Sequence, residues 1–233
     1  MSKGKWGNYE SPVENTGFDT IGVGKEEPLQ YRIAEDFFLE VGIHFVTKPD
    51  GKLTVEVCRN QTWDEDNHYN RRIVDNDCPI CKIANETGND RMSVKRIFAM
   101  NAIIRGLNDG EDVVKILEAK KTMFDDIMKH ANDEEWGSPT RYDFKTKREG
   151  SGLKTQYITK ASPNINPLTE DEKALIKEGR KDLVEFYQPK SVEELNKVMG
   201  ADVDDGFEDT GNSPAPATNN DDFDEFDDEF EDF

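Results

Sequence analysis

From Phe37 to Val46 apolar and polar positions alternate, so that Leu39, Val41, Ile43 and Phe45 fall on one side of an extended strand. After the turn-like Lys48-Pro49-Asp50-Gly51 the alternation resumes with Leu53, Val55 and Val57, which predicts a hairpin. Val94 to Ile104 is almost continuously apolar and reads as a long buried strand, and Val113 to Leu117 as a shorter one. Met123, Phe124, Ile127, Met128 and Ala131 then recur at helical spacing behind Thr122 as N-cap, with Asp125 in a capping-box-like position. Tyr142, Phe144 and Thr146 alternate with charged residues, as Leu153, Thr155 and Tyr157 do in part, and the Gly150-Ser151-Gly152 break between the runs predicts a second hairpin. About five strands and one helix imply a mainly β (α+β) fold, within reach of a five-stranded barrel of the OB type. Thr169 with Glu172 and Ser191 with Glu194 mark the starts of two short helices, the second stopped by Gly200. Residues 1–30, rich in Gly, Glu, Pro and Asn and without a sustained period, read as a flexible arm.

Charge changes this picture. The 233 residues carry 30 Lys and Arg against 50 Asp and Glu, a net charge of −20. Only 34% of them are hydrophobic, where a globular domain has roughly 45–50%. Taken whole, that acidity argues against nucleic acid, because phosphate contacts need cations. The acids are not evenly spread, however. Residues 201–233 hold 14 of them and no Lys or Arg, which leaves −6 on the first 200 residues. Within this tail the Asn212 to Asn220 run is a spacer by composition, and Asp221 to Phe233 is an acidic block broken by Phe223, Phe226, Phe230 and Phe233. Solubility alone does not require four large apolar groups, so the block reads as a disordered tail that docks phenylalanines into partner pockets on a basic surface. In the body, Arg141 to Lys160 has a local charge of +4 with Tyr142, Phe144 and Tyr157 interleaved, and Arg91, Lys95 and Arg96 precede the long strand. Cations mixed with aromatics suit single-stranded nucleic acid, although any single aromatic here is better read as core. A mean hydropathy of −0.84 without a long uncharged apolar run excludes a transmembrane helix, and no signal peptide is evident, so a soluble, unprocessed chain is expected.

Three cysteines, an odd number confined to Cys58 through Cys81, fit a reducing compartment and not a disulfide framework. Cys78-Pro79-Ile80-Cys81 has the spacing that lets two thiolates grip one tetrahedral ion. The fourth ligand of a zinc site would be His44 or His68. If the strands flanking Asp50 pair so that residues 44, 56 and 58 share a face, His44 and Cys58 point away from the Ile43, Phe45, Val55 and Val57 side and converge on the metal. His68, in the polar run Asp64-Glu65-Asp66-Asn67-His68, is the alternative. A thioredoxin-like pair would want the C-x-x-C at the start of a helix within a βαβ pattern, and would leave Cys58 unexplained. A closed Cys3His site is structural, since catalytic zinc keeps an open position. His130 has no nucleophile to pair with, and no catalytic constellation stands out.

The order His44, then Lys52-Leu53-Thr54-Val55-Glu56-Val57-Cys58, then Asp77-Cys78-Pro79-Ile80-Cys81, the Lys95-Arg96 strand and an acidic Phe-containing C-terminus resembles the zinc-containing single-stranded-DNA-binding proteins of tailed bacteriophages, the helix-destabilising type. The resemblance spans roughly Tyr31 to Met199 in order of elements, and the tail in character. It implies zinc on His44, Cys58, Cys78 and Cys81. It also implies an OB-fold core over 31–165 with a zinc-binding insertion at about 44–85, short helices over 166–200, and the acidic tail over 201–233. The implied function is to coat and protect unpaired DNA during phage replication, recombination and repair in the cytoplasm of the infected host. The tail would recruit DNA polymerase, helicase-primase or recombination factors and compete with DNA for the cleft; no membrane is involved, and self-association is compatible with this reading. Two departures stand out: nineteen residues separate Cys58 from Cys78, and the arm lacks a Lys/Arg-plus-Ser/Thr cluster. The DNA-binding candidates are Arg59, Trp63, Arg71, Arg72, Arg96, Tyr142, Lys145, Lys147 and Tyr157. A zinc-stapled adaptor that uses its tail on a basic protein partner, without nucleic acid, is the rival reading.

Overall fold

The computed structural model describes residues 19–24, 27–108, 110–150 and 154–200. Within them the strands are β1 (Thr20–Ile21), β2 (Leu29–Ile33), β3 (Leu39–Thr47), β4 (Leu53–Val57), β5 (Gln61–Asp64), β6 (Asn70–Ile73), β7 (Lys95–Asn108), β8 (Glu111–Ala119), β9 (Asp143–Glu149) and β10 (Gln156–Ala161). The helices are α1 (Pro79–Thr87), α2 (Lys121–Ala131), α3 (Glu170–Gly179), α4 (Leu183–Phe186) and α5 (Val192–Met199). The protein is therefore mainly β, with a few short helices.

Strand β7 organises the sheet because it is apolar on both faces. One edge pairs with β8 over most of its length; the other takes β3 beside its first half, Lys95 to Ala99, and β2 beside its second, Ala102 to Ile104. From there β2 leads to β9 and β10, β3 leads to β4, and β1 adds in parallel to β8. The result is one eight-stranded mixed sheet, with β5 and β6 as a separate two-stranded pair.

Alternation along β7 sends Phe98, Met100, Ala102 and Ile104 to one face, where they meet Tyr31, Leu117, Phe144 and the Met123, Phe124 and Ile127 stripe of α2. Ile97 and Ala99 point to the other face, with Leu39, Val41, Ile43 and Ile116, under Leu183 and Tyr187 of the α4 segment. Two buried polar groups interrupt this second face, and both are satisfied. Asn101 donates to Glu35 at 2.7 Å and to the Lys181 carbonyl at 2.9 Å, and accepts from the Lys181 N–H at 3.1 Å. Arg32 donates to the carbonyls of Thr140 and Asn166 and pairs with Glu172 at 3.3 Å.

Glu172 is also held by Arg105 at 2.6 Å, and Arg105 reaches Asp112 and Asp143 as well. This network seats α3 on the sheet, where Gly179 lies so close to Val114 that an added Cβ would come within 2.8 Å of the valine. Residues 166–200 thus form a strap: α3 and α4 lie on one face, and α5 packs Leu195 beside Cys58 and Ile80 near the other end of β3.

Several expectations are corrected by these coordinates. The sheet is open, not a closed five-stranded barrel, because β2 and β9 join β7 on the edge opposite β8 and the path ends at β1 and β10 without meeting. Strand β2 is an addition to the expected elements: its Leu29-Gln30-Tyr31-Arg32-Ile33 alternates regularly but is only five residues long. The expected arm over 1–30 contains β1 and the start of β2. Helix α2 begins after Lys120, which has no side-chain cap, and not at Thr122. The C-x-x-C turn opens a true helix, α1, with Cys78 as its N-cap. The capping boxes at Thr169 and Ser191 are present as the sequence implies. Leu153 and the acidic tail fall outside the described residues.

Burial alone would raise the Glu172 carboxyl, but the Thr169 N–H, Arg105 and Arg32 hold it down at about 2. A carboxylate depressed in the fold adds stability above its unfolded pKa of roughly 4.3, and loses it as pH falls toward the folded value. Urea unfolding at pH 7 and at pH 3 should show an acid-induced loss of roughly 1–2 kcal/mol from this group, the remainder being lost only below the folded value. Glu172→Gln should be the less stable protein at pH 7 and should show a smaller loss between the two pH values.

Candidate metal centre and the surface beside it

The hairpin β3–β4 pairs Ile43 with Val57, His44 with Glu56 and Phe45 with Val55. Residues 44 and 56 therefore share one face, and the Cys58 N–H, 2.9 Å from the Gly42 carbonyl, carries the pairing one step further so that Cys58 follows the same parity. Helix α1 brings Cys78 and, one turn on, Cys81 against them. Ligand atoms of His44, Cys58, Cys78 and Cys81 all lie within 4.8 Å of one another. Sγ of Cys58 is 3.6 Å from Sγ of Cys81, and Nε2 of His44 is 3.6 Å from Sγ of both Cys78 and Cys81. A tetrahedron with Zn–S bonds of ~2.3 Å has edges of ~3.8 Å, so the cluster is the size of a zinc shell.

The donor chemistry fits as well. Nδ1 of His44 lies 2.7 Å from the Met92 carbonyl, which fixes the ring proton there and turns Nε2 inward as a ligand. The cluster is enclosed by Val46, Ile80 and Leu195. Hydrogen bonds from Cys58 and Cys81 hold the Cys78 thiol far below its ordinary range, and contacts with Cys78 and Cys81 drive the Cys58 thiol up. Burial works against a charged His44 ring, yet its contacts with Cys78, Cys81 and the Met92 carbonyl lift it to about 9. Three acids and a base crowded this way compete for protons, a conflict that one divalent cation removes. These residues can hold zinc, and with four protein ligands the site has no open position for catalysis.

His68 does not join the group: it is exposed at the end of the Glu65–Asn67 turn with φ 55. The opening of α1 by Cys78 is the helical setting a redox pair would want, but Cys58 and His44 share the same cluster, and a redox pair does not use them. Glu56, 2% exposed, stands opposite His44 but is engaged by Lys190 at 2.8 Å and by Thr54. His130 packs among Trp136, Tyr142 and Phe144.

Cys58 and Cys78 bracket the β5–β6 hairpin, which sits on the free edge of β3. Gln61 makes a strand-like pair of hydrogen bonds with Gly42, accepting from its N–H at 2.7 Å and donating to its carbonyl at 2.8 Å. Gly42 is required there: a Cβ would come 2.6 Å from Arg71 Nη1 and 2.9 Å from Val94. Trp63 donates its indole N–H to the Glu40 carbonyl at 2.9 Å. Arg71 and Arg96 share the Glu40 carboxylate, at 3.6 and 3.0 Å. Two guanidiniums on one carboxylate leave an excess positive charge. Arg72 is exposed beside them, and Arg59 donates to the Lys190 carbonyl at 2.6 Å.

Five of the nine DNA-binding candidates thus gather around the metal-bracketed hairpin and the strand ends next to it. The other four do not. Tyr142 is fully buried, its ring against Trp136 and Phe144, and burial pushes its hydroxyl up to about 12. It is a core residue and offers no ring face to a base. Lys145 and Lys147 are exposed on β9, whereas Tyr157, opposite Arg148, shares the inward face with Phe144 and Thr146. Strand alternation therefore sends the lysines and tyrosines of this basic run to opposite sides of the sheet.

Of the aromatics that do share a surface, the sequence singled out Trp63 alone as a DNA contact. Phe37, Phe45, Trp63, Tyr69 and Phe186 are each half-buried against the apolar floor of Leu39, Val41, Ile43 and Ile97. Phe37 and Tyr69 meet edge to face at 5.0 Å, and Lys120 lies 5.8 Å over the Phe45 ring. His68 and Tyr69 are the two non-glycine residues with positive φ among those described, at 55 and 59. Each such conformation costs about 1–3 kcal/mol and is held by its surroundings. The signal available in sequence was the odd-numbered phase of Phe37, Phe45 and the β3 apolars; Tyr69 and Phe186 left none.

No protein-family model and no curated protein matches the chain. Among the described residues no helix is long and apolar enough to cross a membrane.

Metal analysis should find one zinc ion per chain. Stripping it with a chelator, or Cys78→Ser, should lower the melting temperature and open the Cys58 to Cys81 segment to protease, because binding energy there is folding energy. His68→Ala should change neither readout; loss of zinc in that variant would reassign the fourth ligand.

Proposed function

We propose that the chain is a single-stranded-DNA-binding protein whose zinc site is structural, and that it engages DNA on the half-buried aromatic surface beside the β5–β6 hairpin. The observation that supports this most is the grouping of Phe37, Phe45, Trp63, Tyr69 and Phe186 on one apolar floor, with Lys120 over one ring and the Arg71–Arg96 pair at the edge of β3. Ring faces stack on unpaired bases for about 1–3 kcal/mol each, and cations beside them follow the phosphates. Every base has such a face, so binding is sequence-tolerant. Paired bases are already stacked on one another, so the duplex is bound less well and melting is favoured by mass action.

In this reading zinc does no chemistry. It closes the loop that carries Trp63, Tyr69, Arg71 and Arg72, so their positions depend on the metal. The barrel that the family resemblance implies is not needed, since one sheet face and one stapled hairpin suffice. The acidic tail, by its sequence, is the element for replication or recombination partners. Lys145 and Lys147 act at most as outlying phosphate contacts.

Titration of the full chain with oligo(dT), followed by tryptophan fluorescence, should give binding that weakens with salt. Trp63→Ala or Phe45→Ala should weaken it roughly 5- to 150-fold, the equivalent of 1–3 kcal/mol. Arg71→Ala should weaken binding and flatten the salt dependence, Lys145→Ala should have a smaller effect, and Tyr142→Phe should leave affinity unchanged. A chain truncated at residue 200 should bind more tightly, having lost 14 negative charges. Failure of that truncated chain to bind oligo(dT) at low salt would leave the protein-adaptor reading in its place.

A further inference from the structure

On the α2 side of the sheet, sharing Phe37 with the aromatic surface, lies a cavity of about 260 Å³ open to solvent. Phe38, Met100, Phe124, Ile127 and Met128 make its apolar wall, and Glu35 and Asp36 stand among its lining residues, which include no Lys, Arg or His. Phe38 meets Phe124 edge to face at 4.6 Å, so the wall presents both a ring edge and thioether groups. Glu35 is matched by Arg180 at 3.2 Å, while Asp36 is exposed and accepts from the Ser138 hydroxyl at 2.6 Å. The pocket is thus apolar inside and acidic at its mouth. A cavity of about 150 Å³ accepts benzene, so this one has room for an indole.

We propose that this pocket is the docking site of the chain's own N-terminal segment, Lys3-Gly4-Lys5-Trp6, with the Trp6 ring inside and Lys3 and Lys5 toward Asp36. Charge chooses between the two ends of the chain. The C-terminal block has large apolar groups too, but Phe223, Phe226, Phe230 and Phe233 are embedded in Asp and Glu, which the acidic mouth repels. The N-terminal segment offers an aromatic group flanked by cations. Reach is sufficient. Strand β1 lies two strands from β7, about 10 Å at the usual strand spacing of roughly 4.8 Å. Thirteen residues separate Trp6 from Asp19, a number that spans roughly 18–22 Å on average in an unstructured linker. Tethered at that distance, Trp6 is present at millimolar effective concentration, enough to fill a site that a free peptide would occupy weakly. Thioether groups favour aromatic partners, which suits Met100 and Met128 to an indole. The assignment does not depend on what the aromatic surface of β3 binds.

The test uses the full chain with ¹³C-methyl methionine, the Met100 and Met128 signals being assigned from Met100→Leu and Met128→Leu. With the indole seated, both methyl signals should be ring-current shifted, and Trp6→Ala should move both. Asp36→Lys should reproduce the same displacement by repelling Lys3 and Lys5. Methyl signals that stay in place in Trp6→Ala would overturn the proposal. So would a displacement that appears only as protein concentration rises, since it would assign the pocket to the segment of a second copy.

Discussion

The functional end of this molecule depends on the register of β4 against β3. Side chains alternate with a period of two, so a slip of one residue would send His44 and Cys58 to opposite faces and the four ligands could not meet. The register is fixed twice over. On one face Ile43 and Phe45 pair with Val57 and Val55, and at the turn Gly51 takes φ 81, a conformation most other residues avoid. Once set, it places Cys58 at the strand end, from which the chain turns back to lay Gln61 on Gly42. Helix α1 then returns Cys78 and Cys81 to the same point. The β5–β6 hairpin has little core of its own, since Ile73 is 65% exposed and Trp63 only half-buried. It stays in place because both of its ends are tied to the ligand cluster.

The strap of α3, α4 and α5 connects this end to the rest of the sheet. Its anchors are polar at the far end, through Arg32, Arg105 and Glu172, and apolar near the metal, through Leu195. Buried ion pairs add less to stability than their number suggests, because desolvation offsets much of the attraction. Their contribution here is placement. Three carboxylates and two guanidiniums satisfy one another in a single arrangement, so α3 cannot slide along β8. The Asn101 contacts with Lys181 then fix where the chain enters α4, and with it where Phe186 stands beside Phe45 and Val57.

Reading the residues in order revealed what depends on local period and failed where a surface is assembled from distant pieces. His44, Cys58, Cys78 and Cys81 were legible because strand parity and the C-x-x-C spacing are local rules, and the capping boxes at Thr169 and Ser191 are local too. The open sheet was not, because β2 is five residues long and nothing local shows that both of its sides are buried, the polar one by Arg32 on Thr140 and Glu172. The basic run from Arg141 to Lys160 misled for the opposite reason. Cations and tyrosines that alternate along a strand look like one mixed surface in sequence and are two surfaces in space. Phe186 could not have been placed at all, since the strap that carries it follows a path set by Asn101 and Glu172.

Net charge is a poor guide to what this surface can bind. Charges more than about 8–10 Å away are largely screened at physiological salt. A phosphate approaching β3 therefore responds to Arg71, Arg96, Arg72 and Lys120 against Glu40, and hardly to the −20 of the whole chain. The 14 tail acids matter to that phosphate only when the tail itself comes within a Debye length. The last described residue, Gly200, packs against Pro49 in the β3–β4 turn, at the far end of β3 from Glu40 and its two arginines. Any opposition from those 14 acids to a polyanion at the arginines would have to act across the length of β3, so salt and distance govern it more than the number of charges.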